Sequence, residues 1–177
     1  EILPEVAKSY KLREDGYSRG IGGLSGGGIA AFNTAWHFPD QFSRVYSHVG
    51  AFVASTRIPS QNGEGGHMYP VKVRREPRKN LRVWLSSGTY DYENEAGSFA
   101  LQNIQLANSL KLSGYDFHFR FGEAMHSGGQ PSLDLPEILP WLWRDYDAAK
   151  TSQVYEMEEA EKGKPVFRVQ VVNRESW

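Results

Sequence analysis

A serine framed by glycines is the feature that most restricts how this 177-residue chain can fold. The segment Gly23-Leu24-Ser25-Gly26-Gly27 has the spacing G-x-S-x-G, and a short strand is predicted immediately before it at Arg19–Leu24. A helix is predicted directly after Ser25, over Gly26–His37, because apolar side chains recur there at helical spacing. This order of strand, turn and helix predicts a sharp turn that lifts the serine hydroxyl above the carboxyl edge of a sheet.

The motif alone leaves two simpler interpretations open. The serine could cap the following helix, or the glycine-rich loop could bind phosphate. A Walker loop is excluded because no Gly-Lys-Ser or Gly-Lys-Thr follows. In the strand–turn–helix interpretation, Ser25 is a nucleophile, and the N–H of Gly26 points at a developing oxyanion with the help of the helix dipole.

A nucleophilic serine needs a base, and the base needs a carboxylate that orients it. Asp91 follows a strand predicted at Leu81–Ser86, and His126 follows another at Tyr115–Phe121. Both side chains should therefore lie at the same carboxyl edge of the sheet as Ser25, where open α/β sheets bind ligands. The chain order of serine, acid and histidine predicts a catalytic triad of these three residues.

Other polar residues compete for these roles. The alternative acids are Glu93, Glu95 and Glu123. Three histidines lie in predicted helices or strands and are expected to be structural, namely His37, His48 and His118. A long loop at Gly50–Pro70 holds Arg57 and His67, which we interpret as candidate substrate contacts because loops of this length are commonly functional.

Strands that alternate with helices predict an α/β fold with a mostly parallel sheet and flanking helices. Residues 1–147 are expected to form the catalytic portion, and residues 148–177 a C-terminal extension of unclear role with a strand at Val166–Val172. Aromatic and polar side chains alternate along Tyr115–Phe121, which favours a strand near the sheet edge with one exposed face.

Composition excludes several classes of protein. The net charge of −1 gives no general attraction to nucleic acid. The absence of cysteine excludes disulfides, thiolate metal sites and a cysteine nucleophile. No apolar run approaches the roughly 18–20 residues that a membrane-spanning helix requires. These observations leave the cellular compartment open.

Several motifs are characteristic in combination. They are the glycine-rich run from Gly22 to Gly28, the segment Trp36-His37-Phe38-Pro39-Asp40, the segment Gly88-Thr89-Tyr90-Asp91, and the loop from Phe121 to Gly128. Together they resemble the enterochelin esterase and esterase D-like family of α/β-hydrolases over about residues 1 to 147.

The resemblance implies a serine esterase that needs no metal or cofactor, with Ser25, Asp91 and His126 acting through an acyl-enzyme. Members of that family hydrolyse siderophore lactones, feruloyl and acetyl esters of plant polysaccharides, and other carboxylic esters, and some transfer acyl groups. We therefore expect a small-molecule or saccharide ester as substrate. The alternatives are an acyltransferase and a catalytically silent carbohydrate-binding or scaffold fragment.

The chain departs from the family pattern at its beginning. A complete member has several strands and a second oxyanion donor before the nucleophile, whereas 24 residues precede Ser25 here. The fold expected is the C-terminal portion of an α/β-hydrolase, without the N-terminal strands. We expect a second polypeptide or fragment to supply that half, since the remaining strands would otherwise expose an edge.

Overall fold

The computed structural model describes residues 2–54 and 65–166 of the chain. The helices in these ranges are α1 (Ile2–Ala7), α2 (Gly26–His37), α3 (Tyr69–Arg75), α4 (Phe99–Leu112), α5 (Gly129–Leu142) and α6 (Glu159–Lys162). The strands are β1 (Gly20–Leu24), β2 (Arg44–His48), β3 (Arg82–Tyr90), β4 (Glu93–Asn94), β5 (Gly97–Ser98) and β6 (Asp116–Met125). Strands and helices alternate as the sequence predicts.

Four strands form one parallel sheet in the order β1-β2-β3-β6, and β4 and β5 form a small antiparallel ribbon. Side chains of one face, among them Val45 and Val83, join a large apolar core with residues of α2, α3 and α4. On the other face Trp84 packs against Ile138 and Leu142 of α5. Helices thus cover both faces of a parallel sheet, and the predicted α/β class is confirmed.

The polar side of β6 differs from the sequence prediction. The strand does end the sheet, but α5 covers most of its polar face, and of the polar side chains Asp116, His118 and Arg120 only Arg120 is exposed. Asp116 is only 1% exposed, and the ring of His118 stacks on Trp84 with a centroid separation of 4.0 Å. Asp116 and His118 are therefore covered by the rest of the molecule, whereas Arg120 keeps part of the exposed polar face that the sequence predicts.

Helix α5 begins earlier and ends earlier than the Leu135–Asp147 helix expected from the sequence. Pro136 and Pro140 lie inside it, although proline normally interrupts helical hydrogen bonding. The apolar side of the helix packs on the sheet through Ile138 and Leu142. The burial of these two side chains determines where the helix lies. The prolines inside it make that position hard to predict from the sequence.

Part of the extension after residue 147 packs on the amino ends of the strands. Tyr155 is buried, and its hydroxyl lies 2.9 Å from Ser43 Oγ. The carboxylate of Glu158 pairs with Arg144 at 2.8 Å. Of the strand predicted at Val166–Val172, all but the first residue lies outside the described residues.

A buried charge network joins the amino ends of the strands to the end of α5. Asp116 accepts hydrogen bonds from Arg82 Nε at 2.7 Å and from Arg144 Nη2 at 2.5 Å. Arg82 also donates to the backbone carbonyl of Leu142 at 3.2 Å. The carboxylate thus balances two guanidinium groups, one of them fully enclosed, and its loss would leave buried positive charge without a partner.

We predict that Asp116→Ala lowers the free energy of unfolding by about 3–5 kcal/mol, the usual cost of removing one partner from a buried ion pair. Urea denaturation followed by tryptophan fluorescence measures the change. The control is Glu5→Ala, which removes an exposed ion pair with Lys8 and should cost less than about 0.5 kcal/mol. Equal small effects of both substitutions would contradict a structural role for the network.

Candidate active site

Ser25 occupies a strained turn between β1 and α2. Its backbone angles are φ 54° and ψ −118°, a region that costs a non-glycine residue of order 1–3 kcal/mol. The turn is held by two hydrogen bonds, from Ser25 N–H to the carbonyl of His48 at 3.0 Å and from Ala51 N–H to the carbonyl of Ser25 at 3.1 Å. The serine side chain makes no capping bond to the helix, so the structure does not support the helix-cap interpretation.

The glycines around Ser25 differ in what they allow. A Cβ at Gly23 would lie 2.5 Å from the backbone of Gly27, and one at Gly28 would lie 2.6 Å from Ser47 Oγ. By contrast, nothing lies within 4 Å of a Cβ placed at Gly26 or Gly27. Close packing therefore requires glycine at positions 23 and 28. Positions 26 and 27 have open space for a side chain.

Asp91 and His126 form a buried hydrogen-bonded pair. The distance from Asp91 Oδ1 to His126 Nδ1 is 2.6 Å, and the two side chains are 0% and 8% exposed, respectively. Ser87 Oγ donates to Asp91 Oδ2 at 2.7 Å, and the N–H of Tyr92 donates to Oδ1 at 2.8 Å. These donors hold the carboxylate in the position from which it contacts the imidazole.

Two aromatic rings hold the imidazole of His126 in place. The ring of Tyr92 stacks on it, with centroids 3.9 Å apart and planes 13° from parallel. Phe99 meets the imidazole edge-on at 5.2 Å. Sequence reasoning missed Ser87, Tyr92 and Phe99 as positioning groups. The position of Tyr92 directly after the acid is the signal that could have identified it.

The structure brings the acid and the histidine together and places the serine at the same edge of the sheet. Asp91 and His126 follow β3 and β6, while Ser25 follows β1, on the far side of β2. Among the described residues no hydrogen bond joins Ser25 Oγ to the imidazole. Nucleophile and base are often farther apart without substrate than in a reacting complex. The triad therefore stays a prediction.

The other residues that the sequence suggests for the site are not part of the Asp91–His126 pair. Glu93 and Glu123 are exposed and make no bond to His126 in the described part of the chain. Arg57 lies outside the described residues. His67 lies in a single-turn 3₁₀ helix at Gly66–Met68, and its Nδ1 is buried without a partner there. No contact in the described structure joins His67 to the triad residues.

The N–H of Gly26 belongs to the first turn of α2, where backbone donors lack an intrahelical acceptor. The role of this N–H as a donor to an oxyanion next to Ser25 stays a prediction. In residues 2–54 and 65–166 no three His, Cys, Asp or Glu side chains are grouped to hold a metal ion. No helix in the same ranges is long and apolar enough to cross a membrane.

A parallel sheet with helices on both faces, and a strained serine turn after one strand, define an α/β-hydrolase fold. The chain belongs to the Esterase family, whose model matches residues 1–142. No curated protein matches it in sequence. These findings confirm the resemblance to esterases predicted from the motifs.

Solved structures share the fold at low sequence identity. A ferulic acid esterase is 20% identical with a TM-score of 0.64, over 82% of this chain and 59% of that one. Enterochelin esterase from Shigella flexneri is 23% identical with a TM-score of 0.63, over 81% and 35%. The fluorophosphonate-binding serine hydrolase FphF from Staphylococcus aureus is 14% identical with a TM-score of 0.64, over 81% and 61%. The chain therefore matches only about one third to three fifths of the length of these structures.

We predict that Tyr92→Ala slows the reaction of Ser25 with a fluorophosphonate about 3- to 10-fold, because an aromatic pair contributes about 0.5–1.5 kcal/mol. The matched control Tyr92→Phe keeps the ring and the backbone N–H and should react at nearly the unmodified rate. Time courses of labelling, read by intact mass, give both rates. Equal slowing in the two variants would show that the hydroxyl, rather than the stacked ring, is responsible.

Proposed function

We propose that this chain carries the catalytic triad of a serine esterase, with Ser25 as nucleophile, His126 as base and Asp91 as the orienting acid. The observation that carries the proposal is the buried hydrogen bond between Asp91 and His126, at the sheet edge where the strained turn presents Ser25. Membership of the Esterase family supports the same chemistry. The three residues follow three strands of one parallel sheet, so their side chains converge on one edge.

In the proposed reaction, Ser25 Oγ attacks the ester carbonyl while His126 Nε2 accepts its proton. Asp91 keeps the proton on Nδ1 and stabilises the imidazolium that forms. The tetrahedral intermediate places its negative oxygen near the N–H of Gly26. The intermediate collapses to an acyl-enzyme as the imidazolium gives its proton to the departing alcohol. Water, deprotonated by the same histidine, then releases the acid and restores the serine.

The substrate we propose is a carboxylic ester on a saccharide, a phenolic acyl ester of feruloyl type, an acetyl ester, or a lactone. Two proteins of similar fold are named for ferulic acid and enterochelin esters, which supports this range. A panel of p-nitrophenyl, feruloyl, acetyl-sugar and lactone esters would separate these classes.

Labelling with a fluorophosphonate tests the triad. We expect one adduct on Ser25, none in Ser25→Ala, and about 100-fold or slower reaction in His126→Ala, because a general base contributes about 10²–10⁴-fold. The matched control is His37→Ala, an exposed histidine at the end of α2, which should label at the unmodified rate. Absence of labelling in every sample, including the isolated native assembly, would overturn the proposal.

We further propose that a second polypeptide or fragment completes the sheet at β1. This strand pairs only with β2 among the described strands, so its other edge is free to accept a strand. Beside it, β1 and α5 line a mostly apolar groove of about 470 Å³. Leu135 and Leu139 of α5 line this groove and are 38% and 48% exposed. Apolar side chains at a free strand edge suit a protein partner.

Native mass spectrometry of the tagged chain, isolated from its source, tests the partner. We expect a stoichiometric complex that Leu139→Glu disrupts, because a charge would then face the apolar groove. The control Leu101→Glu changes a 54% exposed leucine on α4, on the opposite side of the sheet, and should leave the complex intact. A single species with the mass of the tagged chain alone in the unmodified sample would contradict the proposal.

A further inference from the structure

The turn that follows β2 holds the backbone of Ser25 from both sides and is itself strained. Val49 is fully buried and has a φ of 43°, an unusual angle for a β-branched residue. On one side of it the carbonyl of His48 accepts from Ser25 N–H at 3.0 Å, and on the other the N–H of Ala51 donates to the Ser25 carbonyl at 3.1 Å. A strained turn of this kind persists only where the surrounding structure fixes it.

A buried side chain of α4, Asn103, is bonded to this turn. Asn103 is 0% exposed, and its Nδ2 donates to the carbonyl of Gly50 at 2.9 Å and to the carbonyl of Phe99 at 2.9 Å. An amide nitrogen has two hydrogens, so both are used. The opposite orientation of the amide would place its oxygen against two carbonyl oxygens. The two acceptors therefore determine how the side chain is oriented.

The first turn of α4, from which Asn103 projects, also contacts the imidazole of His126. Phe99 is the first residue of this helix, and its ring meets the imidazole edge-on at 5.2 Å. The N–H of Phe99 donates to the carbonyl of Tyr92 at 3.0 Å, and the ring of Tyr92 stacks on the imidazole at 3.9 Å. Asn103 thus joins the turn that holds Ser25 to the helix that packs on His126.

The two carbonyls do not need Asn103 in order to be paired. The Gly50 carbonyl also accepts from the N–H of Phe52 at 2.8 Å, and the Phe99 carbonyl accepts the regular helical bond at the start of α4. The Oδ1 of Asn103 has no partner among the described residues, which is unfavourable for a buried polar atom. The distinctive contribution of this amide is therefore the connection between the two segments.

We propose that Asn103 is a positioning residue that sets the separation between Ser25 Oγ and the imidazole of His126, an inference that rests on the proposed function. Asn103 acts through the backbone at Gly50 and the first turn of α4, not on the substrate. Reacting groups must be closely aligned, and a displacement of about 1 Å can slow a reaction about 100-fold. A bonded, buried contact between the two supporting segments restricts such a displacement.

Fluorophosphonate labelling of the full chain, in its isolated assembly, tests this role in two backgrounds. Asn103→Ala should slow labelling of Ser25 about 10-fold when His126 is present. In the His126→Ala background the same change should slow labelling less than about 2-fold, because no base remains whose distance matters. Equal slowing in both backgrounds would overturn the proposal. So would a smaller labelled fraction at the unmodified rate, since that result indicates loss of folded protein.

The isosteric change Asn103→Asp tests the donor bonds themselves. A carboxyl group of the same shape can donate to a carbonyl only when it is protonated. Its labelling rate, divided by that of the unmodified protein at each pH, should therefore rise as the pH falls from about 8 to about 5. The matched control Gln105→Glu makes the same chemical change at an exposed position of α4, and its relative rate should stay constant. A defect in Asn103→Asp that does not vary with pH would contradict the proposal.

Nuclear magnetic resonance reads the same positions without any reaction. In Asn103→Ala the ring proton resonances of His126 should shift, because the aromatic rings packed on the imidazole move relative to it. Amide hydrogen exchange at Ala51 should become faster, because its bond to Ser25 opens more often. Unchanged resonances and exchange would overturn the inference, even where labelling of the unmodified protein upholds the proposed function. Both changes in a protein that does not label would support the connection and overturn the esterase proposal.

Discussion

The backbone strain at Ser25 is the constraint on which the site depends. A non-glycine residue at φ 54° persists only where neighbouring structure compensates for it. Here β2 and the loop that follows supply the compensation, through the carbonyl of His48 and the N–H of Ala51. Gly23 and Gly28 allow the close approach that the turn requires. Ser25 is therefore positioned by pairing across the sheet as well as by its own motif.

Helix α5 connects the charge network at the amino ends of the strands to the polar groups at their carboxyl ends. At the amino ends, Asp116 balances buried arginines, and Arg82 also bonds the carbonyl of Leu142 at the end of the helix. At the carboxyl ends, Asp134 from the first half of the same helix lines a polar cavity beside His48. Anchoring one end of α5 by a charge network thus fixes the register of the other end against the strands.

The sequence predicted the parts of the site that are local and missed those that depend on tertiary contact. Helix α2 and the turn at Ser25 follow from glycine spacing and periodicity, and the Asp91–His126 pair followed from chain order and strand ends. The bounds of α5 were wrong: the predicted helix began at Leu135, next to Pro136, and ended at Asp147, whereas the observed helix runs from Gly129 to Leu142 and its position depends on burial against the sheet. His48, which the sequence predicted to be structural, is fully buried in β2, and its Nδ1 lies 2.7 Å from Ser86 Oγ.

Completion of the fold and completion of the oxyanion hole are linked by geometry. Ser25 terminates β1, and β1 is the strand whose second edge has no partner in the described sheet. A strand added there would end or turn beside the serine, at the same edge of the sheet. It would bring backbone N–H groups to the side of Ser25 away from Asp91 and His126, opposite the base. In the proposed mechanism the N–H of Gly26 supplies one donor, and a polypeptide paired with β1 would be placed to supply another.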